Sequence, residues 1–252
     1  MAEDTIYREY LDPQYELFEY FRKAAPGSAK HCQNVRNICE AIAADLKLEI
    51  DRLACAALYH DVGKMHNPSY FIENQDGKNP HDDLDPFVSY QLITRHVGDS
   101  VLELVKYDFP MDVISIVSQH HGNTVLKPFF EKSESDIEEN WRYKTNAPDT
   151  IESVILMVVD SIEAAARSYF LGRTDVDKKV IFDLVENKIH DLEQDKQLDD
   201  MKIGVMRVAK NVLCREIESM YHKRIEYPED SENGKKKTSA RRRKSEKDKE
   251  EE

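Results

Sequence analysis

Glycine and proline are scarce in this sequence, with eight Gly and nine Pro among 252 residues. That scarcity speaks against a loop-rich β-sandwich and for long helices. No apolar run approaches the ~20 residues needed to cross a bilayer; the most apolar stretch runs only from Val154 to Val159. The N-terminus (MAEDTIYREYL) has no basic region followed by an apolar one, so it is not expected to be a secretory signal. The four cysteines, Cys32, Cys39, Cys55 and Cys214, show no CxxC spacing. Three of them lie in apolar helical patterns, so they read as buried free thiols in a reducing cytosol rather than as disulfides or zinc ligands. Internal repeats are absent. Positive charge is also short: the net charge is −13, and residues 231–252 carry nine Lys/Arg against six Asp/Glu, which leaves residues 1–230 at −16. A body this acidic repels nucleic acid and anionic membranes at long range, so neither a duplex partner nor a membrane surface is expected. If the substrate is a phosphate, positive charge has to come from within the site, and bound metal ions are the usual source.

What is present is one full-sized, soluble, all-α domain: 40% hydrophobic and 34% charged residues over a length that can bury a sizeable core. Residues 4–25 read as an opening helical segment with an aromatic stripe (Tyr7, Tyr10, Tyr15, Phe18, Phe21). Ala25-Pro26-Gly27-Ser28 breaks it, and Ser28 is expected to cap the next helix, which runs to about Leu46. A helix follows over Glu49 to Lys64. Asn67 to Pro86, with three further breakers at Pro68, Gly77 and Pro80, reads as a long functional loop. Helices are expected at 86–97, 98–107, 110–121, 150–170, 175–190 and 200–225, with a polar connection over 122–149 that holds a short helix near Ser135–Asn140. Three parts result: an N-terminal helical extension (1–27) packed on the domain, the domain itself (28–230), and a disordered charged tail (231–252) whose basic block is a candidate for contacting a partner.

The histidines carry the chemistry. His60-Asp61 is an adjacent pair followed by Val62-Gly63-Lys64, and His120-His121 is a second pair ending a helix before Gly122. His31 opens a helix, and His96 is expected to end one. Asp160 sits in the most apolar helix of the chain, where a carboxylate is expensive unless paired or metal-bound. An ion pair with Arg167 is its ordinary alternative. Neighbouring helical side chains diverge by about 100°, so each adjacent pair can reach two sides of a cluster. Five His and two Asp exceed the needs of one ion. They suit two, with one carboxylate bridging, and imidazole with carboxylate and no thiolate favours iron, manganese or a similar octahedral ion over structural zinc. Two ions ~3.5–4 Å apart can clamp both the attacking and leaving oxygens of a phosphoryl displacement. Lys64, one turn after His60, is expected to face the same site.

His60-Asp61-Val62-Gly63-Lys64 is the HDxGK form of the HD phosphohydrolase signature. Around it, Ala25-Pro26-Gly27-Ser28-Ala29-Lys30-His31 resembles the APGTYHH-like opening of one branch, and Phe71-Ile72-Glu73-Asn74-Gln75 with Asn79-Pro80-His81-Asp82 resembles that branch's FxENQ and NPHD loop. Gln119-His120-His121-Gly122, Trp141-Arg142-Tyr143, Asp160 to Ala165 and Arg224 to Pro228 fit the same pattern. From about Leu11 to Pro228 the sequence resembles the catalytic domain of the membrane-anchored (7TM-HD) cyclic di-AMP phosphodiesterases. The resemblance implies an HD-domain helical bundle in which His31, His60, Asp61 and Asp160 hold one ion and Asp61, His96, His120 and His121 the other, with Asp61 as the bridge. It implies two divalent ions, iron or manganese, and hydrolysis of cyclic di-AMP to 5′-pApA. The family's extracytoplasmic domain and membrane helices have no counterpart here, so the chain reads as a free-standing cytoplasmic relative or as the cytoplasmic piece of a longer protein.

The mechanism expected of such a site has a hydroxide held between the ions attack phosphorus while the 3′-oxygen leaves, with Asp61 and Lys64 as catalytic residues. Lys64, His81 and Arg167 are the candidates for substrate contact, and Glu163 a supporting group. Rival readings are an HD phosphohydrolase acting on cyclic di-GMP, a linear dinucleotide or a mononucleotide, and a catalytically silent nucleotide sensor. No GYP signature of the cyclic di-GMP branch is present.

Overall fold

The computed structural model describes residues 6–173, 175–199 and 201–222. The charged tail expected over 231–252 lies outside them. The regular elements among the described residues are helices, and an isolated bridge between Val125 and Arg142 is the β-type pairing among them. None of the described helices is long and apolar enough to cross a membrane.

The opening segment forms a 3-10 turn at Arg8–Leu11 and then α1 (Glu16–Ala24). The aromatic stripe is core: Tyr10, Phe18 and Phe21 are buried, and Tyr10 packs on Phe109 and Tyr15. These residues share one hydrophobic cluster with the helices that follow. Helix α2 (Pro26–Leu46) starts with Pro26 at its first position, where the missing N–H costs nothing. Ser28 does not cap it. The N–H groups of Gly27 and Ser28 instead donate to Asn74 Oδ1 (2.8 and 3.1 Å), supplied by the loop 46 residues on, so the cap comes from a distance that local pattern cannot see. Lys47 in the left-handed region, with the Leu48 N–H donating to the Ala43 carbonyl, ends the helix.

Helix α3 (Ile50–Tyr59) is shorter than its pattern suggests. It stops before His60, and the rest of the HDxGK segment forms a 3-10 turn at Val62–His66. Small buried residues (Ala29, Cys32, Cys39 and Ala43 on α2; Ala54, Cys55, Ala56 and Ala57 on α3) let these two helices pack closely. The long loop carries three 3-10 turns, at Pro68–Tyr70, Ile72–Asn74 and Pro80–Asp82.

Helix α4 is one piece, Pro86–Lys106, capped by Asp85. It passes through Gly98, where two helices were expected. One exposed glycine costs only about 1 kcal/mol in a helix interior, and the apolar face on either side outweighs it. Helix α5 (Met111–Ser118) ends just before the His120-His121 pair. The connection that follows holds α6 (Lys127–Phe130) and a 3-10 turn at Glu138–Trp141. Helix α7 (Ile151–Phe170) opens with a Thr150–Ser153 capping box and buries nearly its whole first half. Helices α8 (Lys178–Gln194) and α9 (Ile203–His222) close the bundle against α7 and α2. Cys32, Cys39 and Cys55 are buried and Cys214 half-buried; all four are free thiols, and burial pushes the Cys39 and Cys55 thiols up.

Candidate metal centre

Five chain segments converge on one buried cluster. His31 lies on the second turn of α2, His60 and Asp61 just beyond α3, His96 in the middle of α4, His120 and His121 in the turn after α5, and Asp160 in the middle of α7. The place of His96 corrects the expectation that it ends a helix. Their ligand atoms fall into two groups, each gathered within 4.8 Å: His31, His60, Asp61 and Asp160, and Asp61, His96, His120 and His121. Asp61 belongs to both. Its Oδ2 faces His60 Nε2 (3.4 Å) and His31 Nε2 (3.8 Å), and its Oδ1 faces His96 Nε2 (3.2 Å) and His120 Nε2 (3.8 Å). Asp160 Oδ1 lies 2.9 Å from His31 Nε2 and 3.5 Å from His60 Nε2, and its Oδ2 lies 3.7 Å from His121 Nδ1. Asp160 thus turns to the histidines, and Arg167 pairs with Glu73 and Glu163 instead.

A test of fit for metal comes from hydrogen-bond bookkeeping. Buried polar atoms almost always have partners. His60 Nε2 and both carboxylate oxygens of Asp61 are buried and make no hydrogen bond, although the Lys64 ammonium stands 2.6 Å from Asp61 Oδ2. Meanwhile the far nitrogens of three rings are fixed by backbone: the Nδ1–H groups of His60, His96 and His120 donate to Ala57, Ile93 and Val117 carbonyls at 2.9, 2.6 and 2.6 Å. That leaves each Nε2 lone pair facing the cluster, the arrangement usual around a metal-ligating histidine. His31 is held by Glu163, which contacts Nδ1 and accepts from Asn34 Nδ2 at 2.7 Å. The residues present fit divalent metal ions.

The electrostatics divide the cluster. Burial opposes a charge on His31, but its hydrogen bonds to Asp160 and Glu163 prevail and lift its pKa to about 10. His60 is likewise held above its ordinary value, against burial, by the Cys32 thiol and the Asp61 carboxylate beside it. Burial and the neighbouring rings push His120 well down, and burial is the main cause that takes His121 to about 3. Asp61, despite burial, stays far below the usual carboxylate range because Lys64 and His60 face it.

Lys64 faces the site as expected, though from a 3-10 turn rather than a helix. Its ammonium is gripped between Asp61 and Glu73 Oε1 (2.9 Å) and lies over the Phe71 ring. Gly63 has a structural reason: a Cβ there would stand 2.3 Å from the His96 carbonyl and 2.5 Å from the Ser100 nitrogen, so only glycine lets this turn lie against α4. Arg167 is half-buried beside Glu73 and Glu163. His81 is buried in the loop, where its contacts are the Tyr70 carbonyl, Asn79 and Phe129. Glu73 and Tyr143 do not stand out in the sequence. Glu73 binds Lys64 and Ser28, and Tyr143 lays its ring along His121 (centroids 4.5 Å apart). Their one signal is membership of the FxENQ and Trp-Arg-Tyr motifs.

Known proteins give the cluster a context. The chain is 34% identical over 232 residues to the cyclic-di-AMP phosphodiesterase PgpH of Bacillus subtilis and 34% identical over 231 residues to PgpH of Listeria monocytogenes. These alignments cover 88% and 89% of this chain but 32% of each relative, so the chain spans about a third of the length of the curated relatives it matches. The crystal structure of the L. monocytogenes PgpH HD domain superimposes with a TM-score of 0.78 at 33% identity, covering 83% of this chain and all of that one. The same domain in complex with cyclic-di-AMP superimposes with a TM-score of 0.77 at 32% identity. The HD-domain family model matches residues 28–165, the span from the start of α2 into α7 that contains all seven clustered residues, and by that match the chain belongs to the HD-domain family.

Proposed function

We propose that this chain is a metal-dependent phosphodiesterase that hydrolyses cyclic di-AMP to 5′-pApA. The observation that carries the reading is Asp61, whose two buried oxygens face two separate histidine sets and lack hydrogen bonds. In this reading His31, His60, Asp61 and Asp160 hold one ion, and Asp61, His96, His120 and His121 the other. Iron or manganese suits these oxygen and imidazole donors. Two such ions, when bound, supply Lewis acidity at the reacting phosphate.

The protein's own groups do the rest. Asp61 spans the two sets, and Glu163 and the Ala57, Ile93 and Val117 carbonyls hold the rings so that Nε2 faces inward. Lys64 keeps its proton: burial works against the charge, but Asp61 and Glu73 raise its pKa. It therefore offers a fixed ammonium to a phosphate oxygen or the leaving 3′-oxygen. Arg167, on the rim beside Glu73, is the second cation within reach of a dinucleotide phosphate. His81, held under Phe129, is better placed to brace the loop that carries Glu73 than to touch substrate. The division into an extension at 1–27, a catalytic domain at 28–230 and a tail at 231–252 belongs to the same reading, and so does a partner for the tail. The specificity for adenine rests on the likeness to PgpH, whose HD domain has been crystallised with cyclic-di-AMP.

The test is direct. The full chain is loaded with Mn²⁺ or Fe²⁺, and cyclic di-AMP, cyclic di-GMP and pApA are followed by chromatography beside Asp61→Ala. Conversion of cyclic di-AMP to pApA that vanishes in the variant is the expected result. Turnover of cyclic di-GMP alone would overturn the substrate, and no turnover with two ions bound would favour a sensor.

A further inference from the structure

Six of the seven clustered side chains are anchored by hydrogen bonds or lie sealed between helices. His121 is the exception. Its ring makes no hydrogen bond among the described residues, and its side chain is 24% exposed, where His31, His60, His96 and His120 are at 2% or less. Something other than a ring hydrogen bond has to fix it. The Tyr143 ring covers one face. The backbone just after it is held from outside the stretch that matches the HD family.

The holding group comes from the end of α8. There the Gln197 N–H donates to the Leu192 carbonyl (2.9 Å) and Lys196 takes a left-handed φ of 58°, a helix stop that turns the Gln197 side chain inward. Gln197 is 3% exposed. Its Nε2 donates to Asn123 Oδ1 (2.7 Å), and its Oε1 accepts from the Asn123 N–H (3.3 Å). Arg142, paired with Asp195 at 2.9 Å, donates to the Asn123 carbonyl at 2.9 Å. Residue 123 is therefore pinned at its N–H, its carbonyl and its side chain. Between it and His121 stands Gly122, with φ of +52°; a Cβ there would lie 2.3 Å from Gln197 Oε1. Thr145 and Thr124 also hold the Gly122 and His121 carbonyls, but Gln197 packs directly on the turn at Gly122.

We propose that Gln197 is a positioning residue for His121, so that the connection between α8 and α9 sets the affinity of the second ion. The proposal rests on the two-ion reading above. It gives the C-terminal helices a role in the site that they do not touch.

Calorimetric titration of the full chain with Mn²⁺ tests it. Gln197→Leu keeps the bulk and removes the side-chain hydrogen bonds to Asn123 and Asp195. One of the two binding steps is expected to weaken roughly 10–100-fold, the usual loss when a ligand's support is removed, while the other keeps its affinity. Asn123→Asp retains the acceptor for Gln197 Nε2 and the backbone N–H, and is expected to keep both steps. Val185→Ala, a cavity in the core of α8, controls for general loosening and is expected to lower stability without separating the two steps. Two unchanged steps in Gln197→Leu, or the same selective loss in Val185→Ala, would overturn the proposal alone. A wild-type chain that binds no Mn²⁺ would overturn the two-ion reading and this inference with it.

Discussion

Glu163 on α7 and His31 on α2 stand 132 residues apart in the chain and share a buried hydrogen bond. The carboxylate accepts from His31 Nδ1 and from Asn34, which leaves His31 Nε2 turned to Asp160 and Asp61. In Glu163→Gln, the amide oxygen can still accept from Asn34, but its NH₂ then faces His31 Nδ1. That favours the tautomer with its proton on Nε2, the atom needed for an ion. Metal affinity is expected to fall roughly 10–100-fold with the fold intact. Mn²⁺ titration measures this, and an unchanged affinity would remove Glu163 from the supporting set.

The two glycines of the α4 region make opposite predictions. Gly63→Ala puts a Cβ against the backbone of His96 and Ser100, atoms that cannot swing away. Stability should drop by about 1–3 kcal/mol, and metal binding should weaken as α4 is pushed off with His96. Gly98→Ala meets nothing within 4 Å and sits on the exposed side of a continuous helix. It should gain about 0.5–1 kcal/mol. Urea midpoints of the two variants distinguish the cases, and a neutral Gly63→Ala would mean that the turn does not press on α4.

Glu73 supplies a pH prediction. Although burial disfavours its charge, the Lys64 ammonium holds its pKa at about 2, below the ordinary 4.5. A carboxylate depressed on folding adds stability that is fully present above the unfolded value near 4.5 and is lost as pH falls through 2. The size is on the order of 2–3 kcal/mol for a side chain this buried. Glu73→Gln should therefore be destabilised by that order at pH 7 and approach the wild type at pH 2.5. Urea unfolding at the two pH values tests it; a constant difference between the proteins would mean that lost packing, not charge, is responsible.

That these seven side chains gather is legible in the sequence because packing alone seldom puts a carboxylate in a helix as apolar as the one around Asp160, or sets such polar groups side by side as in His60-Asp61 and His120-His121. The helical class follows from scarce glycine and periodic apolar residues. What escapes is set by contacts across the fold. Ser28 looks like a cap, but Asn74 does the capping. His96 looks like a helix end because Gly98 follows, yet burial on both sides carries α4 through. Glu73, Tyr143 and Gln197 have ordinary local surroundings, and only packing shows that they touch Lys64, His121 and Asn123.

Metal removal gives the broadest prediction. The proposed ligands come from segments that are far apart in the unfolded chain, so ions bind the folded state and scarcely the unfolded one. Binding then adds stability by mass action, about 4 kcal/mol when free metal stands at 1,000 times its dissociation constant. In a chain of this size each kcal/mol moves the midpoint roughly 2–4 °C, so chelation should lower the thermal midpoint by roughly 10 °C. Added Mn²⁺ should restore it in the wild type. Asp61→Ala removes the residue shared by both groups, so its midpoint should stay indifferent to chelator and to Mn²⁺ alike. A wild-type midpoint that ignores chelator would mean that the buried oxygens of Asp61 are satisfied by Lys64 and water, and the cluster would then have to be read as a polar core rather than a metal centre.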